Sequence, residues 1–452
     1  MTSRKDILSE DRILSTFKQA LSQAESDQAE IVLEAEKLDL TRFADSDVTQ
    51  NLATAENKVI VRAIKNKKIG VAITNSLELE DIVNTLRKAE EICVVQSPDK
   101  DFQTLPYSPS ALPVDSYLAQ TAEYSPQRRA SDLKKINSIA GQNDLKSSGA
   151  YRITTDHAAV VNSLGTEQYW KGAEAELSLT LSGDQDNSGY AYGWSRDIDQ
   201  ILPESLAQTA ADKAVKSVNP VRLDPGEYTV ILEPPALGQM VLLLSFLGFG
   251  CKSYISHRSF MSGKLGKPIL GPKISLTENP YHEKMQGMPF GYEGVPRQKV
   301  ELIDRGIARN VVWNSYFANL AGRKSTGHAH PAYKAFTPYP KYMVMDGGQS
   351  SLEEMIASVE RGIYITHFWY VNYLNPMRTM VTGTTIDGTF LIENGKLSKP
   401  IVNMRMAQSI LQALENVSLL SAEQMLYEQF SVTMLLPWAK IDKFNFMHEE
   451  EA

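Results

Sequence analysis

An α+β fold in two unlike parts is what this sequence predicts, on three observations. A helix–meander–helix order occurs twice before residue 220. Two breakers, Asn219-Pro220 and Asp224-Pro225-Gly226, then interrupt the chain. Beyond them hairpin signals dominate. We therefore divide the chain into an N-terminal α+β domain, 1–222, and a β-rich C-terminal domain, 223–452. The N-terminal domain is read as an internal duplication over 1–97 and 124–220. The C-terminal domain is read as mainly antiparallel, barrel-like, with a few helices.

The elements follow in order. Apolar residues Ile13, Leu14, Phe17 and Leu21 have helical spacing. Short alternating segments at 31–35, 59–64 and 69–73 read as strands, and Leu79, Ile82, Val83, Leu86 and Ala89 as a helix capped by Asn75 or Ser76. Pro98, Pro106, Pro109 and Pro113 exclude regular structure from the connector, which is expected to cross the surface. The order then repeats: a helix at 126–141, five strands within 149–196, and a helix at 203–218 opened by Pro203. The apolar stretch 240–250 is a buried helix or strand. In the second domain, Asp304-Arg305-Gly306, Asp387-Gly388 and Asn394-Gly395 are expected as tight turns between strands, because such residues tolerate positive φ. Helices are expected at 351–361 and 407–417.

Composition narrows the function. Hydrophobic content of 42% and charged content of 22% fit a folded globular protein. A net charge of −8 argues against nucleic acid as a partner, since phosphate backbones need a basic face. No stretch is apolar over the roughly 20 residues a bilayer requires, so no membrane partner is expected. Two cysteines exclude a disulfide framework and fit a reduced, cytoplasmic protein.

Common catalytic signatures are absent: no phosphate loop, no Gly-x-Ser-x-Gly elbow and no His-Glu-x-x-His. His328-Ala329-His330 is the one close histidine pair. On a strand both rings would share a face and reach one metal, while in a loop beside Pro331 they would be ordinary polar residues. Cys251 has no adjacent base. The aromatic run His367-Phe-Trp-Tyr370 is expected in the core or on a cleft wall.

Four segments carry a resemblance. Pro289-Phe-Gly-Tyr-Glu-Gly-Val295, Ile303-Asp-Arg-Gly-Ile307, Lys324-Ser-Thr-Gly-His328 and Gly383-x-x-x-Asp387-Gly-x-Phe-x-Ile-Glu-Asn-Gly395 together resemble the TldD/PmbA family, described first as modulators of DNA gyrase and then as metallopeptidases. The resemblance implies a dimer. TldD-type chains carry a zinc-binding His-Glu-x-x-x-His motif, completed by a C-terminal cysteine. PmbA-type chains lack it and pair with a TldD-type chain to cleave extended or unfolded peptides. Here the motif positions fall on 244–249, where Leu244, Ser245 and Phe249 replace the two histidines and the glutamate, and 431–437 holds no cysteine. Leucine and phenylalanine have no lone pair for zinc, so no metal or other cofactor is expected.

The resemblance further implies that Glu293, Lys324, Ser325 and His328 line a peptide cleft. Arg378 is a candidate for a peptide carboxylate. The expected function is a zinc-deficient, PmbA-like subunit, homodimeric or paired with a zinc-bearing TldD-like paralogue. Two alternatives stand beside it. One is an independent metallopeptidase rebuilt on His328, His330 or Cys251. The other is a peptide- or ligand-binding protein without catalysis.

Overall fold

The computed structural model describes residues 9–334 and 338–447. The first part of the chain is a six-stranded antiparallel sheet with helices on one face. Helix α1 (Glu10–Leu21) leads into β1 (Gln28–Ala44), β2 (Asp47–Lys65) and β3 (Lys68–Thr74), and α2 (Leu79–Val95) follows. The second unit repeats this order with α3 (Pro126–Gln142), β4 (Lys146–Asn162), β5 (Glu167–Ser182), β6 (Ser188–Ser195) and α4 (Pro203–Lys216). The sheet order β3-β2-β1-β4-β5-β6 joins the two units through their leading strands.

Alternation along the strands explains both faces. Ile31, Leu33 and Ala35 of β1 turn to α1 and α2, and Leu177, Leu179 and Leu181 of β5 turn to α3 and α4. Val32, Ile60, Val160 and Trp170 point the other way, onto Met288, Phe290, Tyr342 and Leu435 from the second half of the chain. The sheet is therefore covered on both sides.

The strands are fewer and longer than the sequence predicts. Residues 146–195 form three strands, because β4 runs unbroken through Asp156 and His157 while paired with β1 and β5. The first half of β2 is exposed, so it has no apolar alternation to read. Helix α2 starts after Glu78 with no side-chain cap, whereas Ser76 binds Asp81. The proline connector is irregular, as expected, yet it does not ride free over the surface: Phe102 and Leu105 are buried beside Ile64.

Residues 226–447 build a curved sheet around a second core. Strands β7 (Gly226–Leu232), β12 (Arg361–Asn375), β13 (Met380–Glu393), β15 (Arg405–Ser409) and β17 (Val432–Met447) pair in that order, and β17 pairs back to β7. This closes a five-stranded barrel in which only β7 and β12 are parallel. Strands β14 (Lys396–Pro400) and β16 (Val417–Gln429) flank it. β11 (Tyr342–Met345) extends from β17 to β8 (Leu276–Glu278), β9 (Val300–Asp304) and β10 (Ile307–Ala308). Helix α5 (Pro234–Gly248) packs against the strands and is buried nearly all round.

Asn394-Gly395 makes the expected two-residue turn, with φ of 49° and 75°. Asp387-Gly388 does not turn the chain. It is a bulge inside β13, two residues facing Thr366 alone, and it aims the Asp387 carboxylate at His367 Nε2, 2.9 Å away. The expected helices at 351–361 and 407–417 shrink to Leu352–Ala357 and Ile410–Glu415, because 361 and 407–409 are already paired in strands.

The duplication has a packing signature at its edge strands. A Cβ on Gly70 of β3 would stand 2.0 Å from the Ala89 carbonyl oxygen of α2. One on Gly189 of β6 would stand 2.1 Å from the Ala210 carbonyl oxygen of α4. Backbone at that range cannot yield without moving the helix. Gly70→Ala and Gly189→Ala are each expected to destabilise by about 1–3 kcal/mol, with the double variant close to additive, as read by urea unfolding.

Candidate functional site

Leu244, Ser245 and Phe249 all have zero solvent exposure. Leu244 and Phe249 lie in the C-terminal core, and Phe249 meets the Phe260 ring edge-on at 5.3 Å. Ser245 Oγ donates to the Pro340 carbonyl at 2.9 Å. Zinc needs about three protein donors even at a catalytic site. These positions offer one hydroxyl, already committed, so they do not fit the ion. On β17, Val432, Met434 and Leu436 turn into the same core. Among the described residues, no group of three or more His, Cys, Asp or Glu side chains is arranged to hold a metal.

The residues singled out by sequence come together only in part. His328-Ala329-His330 is not a strand. The His328 ring is fully enclosed: Nε2 lies 3.2 Å from Glu278 Oε1 and Nδ1 lies 2.9 Å from Thr326 Oγ1. Arg297 reaches the same Glu278 oxygen at 3.5 Å, while the Tyr342 backbone N–H donates to Glu278 Oε2. His328 thus braces the loop and does not face a ligand. Burial holds its ring below the ordinary histidine range. His330 points elsewhere, against Tyr339 at 4.6 Å between centroids, and its Nε2 is buried without a partner. The two rings therefore do not share a metal position.

Glu293 is buried and accepts from the Ser315 backbone N–H at 2.9 Å; it lines a small pocket that His330 also reaches. Ser325 Oγ accepts from the Gly327 N–H and donates to the Trp313 carbonyl, which builds a turn. Lys324 is exposed. Arg378 is exposed in a short turn after β12, away from these groups in the fold. Cys251 is buried, and that burial pushes its thiol up to about 12, which disfavours a nucleophilic thiolate. The aromatic run is split: Phe368 is core, whereas Trp369 and Tyr370 are 64% and 75% exposed.

The largest concentration of charge lies where no motif pointed, in a cavity of about 320 Å³ between the six-stranded sheet and the second half of the chain. Its floor is the sheet face opposite the helices, carrying Glu34, Glu36, Arg152, Asp156 and Glu174. Its roof includes Tyr333, Lys334, Lys341 and Glu428. Several charges are paired: Glu34 with Lys334 at 3.0 Å and with Tyr333 Oη at 2.7 Å, Glu174 with Arg196 at 3.5 Å, and Glu176 with Arg152 at 3.3 Å. Burial still pushes Glu176 up to about 7 and Glu428 up to about 8, the latter helped by Glu174 and Glu176. One signal of this site was present in the sequence. Glu34, Glu36, Asp156, Glu174 and Glu176 occupy alternate positions on strands whose other positions are core.

Three domain descriptions of one family match the chain. Residues 29–93 match PmbA/TldA metallopeptidase domain 1, residues 120–218 the central domain, and residues 225–448 the C-terminal domain. A metalloprotease TldD homolog of Haemophilus influenzae is 23% identical over 446 residues, covering 92% of this chain and 89% of its own length. A metalloprotease PmbA homolog of the same organism is 24% identical over 436 residues, covering 90% and 92%. In structure, the chain is similar to TldE from Thermococcus kodakarensis, with a TM-score of 0.87 at 23% identity over 97% of this chain and 99% of that one. It is also similar to a Thermotoga maritima protein described as a modulator of a DNA gyrase, with a TM-score of 0.84 at 18% identity over 98% and 100%.

His330 sets one expectation. Burial lowers its pKa from 6.5 to about 2. The folded state then favours the neutral ring, so its contribution is intact above 6.5 and is lost as pH falls towards 2. Between pH 7 and about 4.5 the loss amounts to about 2–3 kcal/mol. His330→Phe keeps a ring against Tyr339 and removes the nitrogen that titrates. Its stability at pH 7 should equal or exceed that of the parent, and the drop in urea midpoint on acidification should shrink accordingly.

Proposed function

Because the chain belongs to the PmbA/TldA metallopeptidase family, we propose that it is a zinc-deficient, PmbA-like subunit of a cytoplasmic two-chain peptidase. It lends half of a dimer and part of a channel for extended peptides. A TldD-like paralogue carries the metal. Identity alone does not assign the type, since the two Haemophilus influenzae relatives stand at 23% and 24%. The observation that carries the reading is the replacement of the donor positions by Leu244, Ser245 and Phe249, all sealed in the core.

A dimer is supported by apolar surface on the β12–β13 hairpin. Trp369, Tyr370, Leu374 and Met377 are exposed there, beside Arg378, and side chains of this kind are what a partner subunit covers. Peptide would lie along strand edges by main-chain hydrogen bonds. Of the five residues expected to meet it, Lys324 and Arg378 are open to solvent, Ser325 is half-buried in its turn, and Glu293 is buried on the wall of the small pocket. His328 is left out of that set by its enclosure.

The test is reconstitution with a His-Glu-x-x-x-His paralogue from the same cell. This chain alone should carry far less than stoichiometric zinc, iron or manganese and should not cleave an unfolded peptide. The co-purified pair should exceed the paralogue alone by about tenfold or more, which is about 1.4 kcal/mol of activation free energy. Failure to co-purify, or equal rates with and without this chain, would overturn the proposal.

A further inference from the structure

The charged cavity contains an arrangement that folding alone does not explain. In the cross-strand register, Glu56 of β2 stands opposite Glu36 of β1, and Glu36 stands opposite Asp156 of β4. Three carboxylates are thus neighbours in one row, and all three line the cavity. Like charges directly opposite in a sheet repel. Hydrogen bonds and ion pairs satisfy Glu34, Glu174 and Glu176 nearby. No side chain of the row has a hydrogen-bond or ion-pair partner among the described residues: Glu36 and Glu56 are open to water, and Asp156 is half-buried.

Facing the row is one unpartnered cation. Lys341, just before β11, lines the same cavity, and among the described residues its ammonium has no hydrogen bond and no carboxylate within the 4.0 Å of an ion pair. Arg152, Arg196, Arg297 and Lys334 are each paired with an acid, and Lys58, opposite Glu34, donates to Tyr333 Oη. The cavity therefore holds an acidic row on its floor and an ammonium on its roof that form no ion pair with one another among the described residues, although Asp156 and Lys341 are close enough to act on each other. A single positive ion would answer only the floor, and a single anion only the roof.

We propose that this cavity binds a small zwitterion, a free amino acid or a dipeptide, with its ammonium on the Glu36–Asp156 row and its carboxylate on Lys341. The volume of about 320 Å³ suits a ligand of that size and is too small for a folded partner or a long peptide. Charge-assisted hydrogen bonds at both ends supply affinity and polarity of orientation. The electrostatics agree with the geometry. Burial, reinforced by Glu174 and Glu36, raises the Asp156 carboxyl well above the usual range, and burial with Arg297 and Lys334 nearby lowers Lys341 to about 8. Arg196 and Lys341 offset part of the rise at Asp156, and Glu34 and Asp156 part of the fall at Lys341, yet neither group has an ion-pair partner among the described residues. The site lies within one chain and does not rest on the partner-subunit reading. Either can fail while the other stands.

Calorimetric titration of the full chain separates the outcomes. Alanyl-alanine and alanine are the probes, and the tighter of the two identifies the ligand size. N-acetylation and C-terminal amidation of that probe should each weaken binding by about tenfold or more. In Asp156→Asn, acetylation should no longer matter while amidation still does. In Lys341→Met the reverse should hold. Both substitutions remove an ionisable group that has no ion-pair partner, so the variants should melt at or above the parent temperature, which separates lost binding from lost fold. No binding of either probe at millimolar concentration overturns the proposal. So does a parent protein that ignores one or both caps, a result that needs no variant to fold.

Discussion

Covering the six-stranded sheet on both faces is the constraint from which the rest follows. A sheet with one face in water would carry Glu34, Glu36, Arg152, Asp156 and Glu174 at no cost. Here α1 to α4 cover one face and the barrel half of the chain covers the other. Glu36 keeps its access to water, but a charge that this cover encloses must find a partner or lose solvation. Most find one: Glu30 with Arg62 at 2.8 Å, Glu34 with Lys334, and Glu176 with Arg152. The same logic operates where the halves meet elsewhere. Lys213 of α4 binds Glu233 at the start of α5 at 2.7 Å, and Glu233 also accepts from Tyr364 Oη at 2.7 Å. Pairs of this kind fix the register between the halves more than they add stability, because desolvation offsets much of their attraction.

Helix α5 shows the same constraint acting on function. It sits inside the barrel half with scarcely any polar surface, so each of its positions is judged by packing. A histidine pair and a glutamate at 244, 245 and 249 would need a metal and a wet cleft to justify their burial. With leucine, serine and phenylalanine there, the helix closes the core and Ser245 is satisfied by a backbone carbonyl. The fold is similar to that of TldE from Thermococcus kodakarensis at a TM-score of 0.87, and in this chain α5 packs as part of the core.

Much of the architecture was legible because it rests on local periodicity. The α+β class and the doubled helix–meander–helix order came from alternation and helical spacing, and the β-rich second half from turn chemistry. The misreadings have local causes too. Asp387-Gly388 has turn chemistry, yet its neighbours stay paired with β12, so the positive φ at Asp387 makes a bulge. Strand β4 looked broken at Asp156-His157 because polar residues interrupt its apolar pattern, although hydrogen bonds from both neighbours carry it through. The candidate site was less legible. His328 reads as a ligand-facing residue in its motif, but Glu278, 50 positions earlier, encloses it.

By itself, the sequence determined the class of fold, the family motifs and the chemical poverty of positions 244–249, since a missing lone pair is a property of the residue and not of its surroundings. Tertiary structure alone decided which charges share a space. Glu36, Glu56, Asp156 and Lys341 are unremarkable as letters, spread over more than 300 positions. They line one cavity because strand register sets three acids in a row and the second half of the chain brings one lysine to the same space. The physical reason is range: propensity and patterning act over a few residues, whereas desolvation and charge pairing depend on what folding brings together from far along the chain.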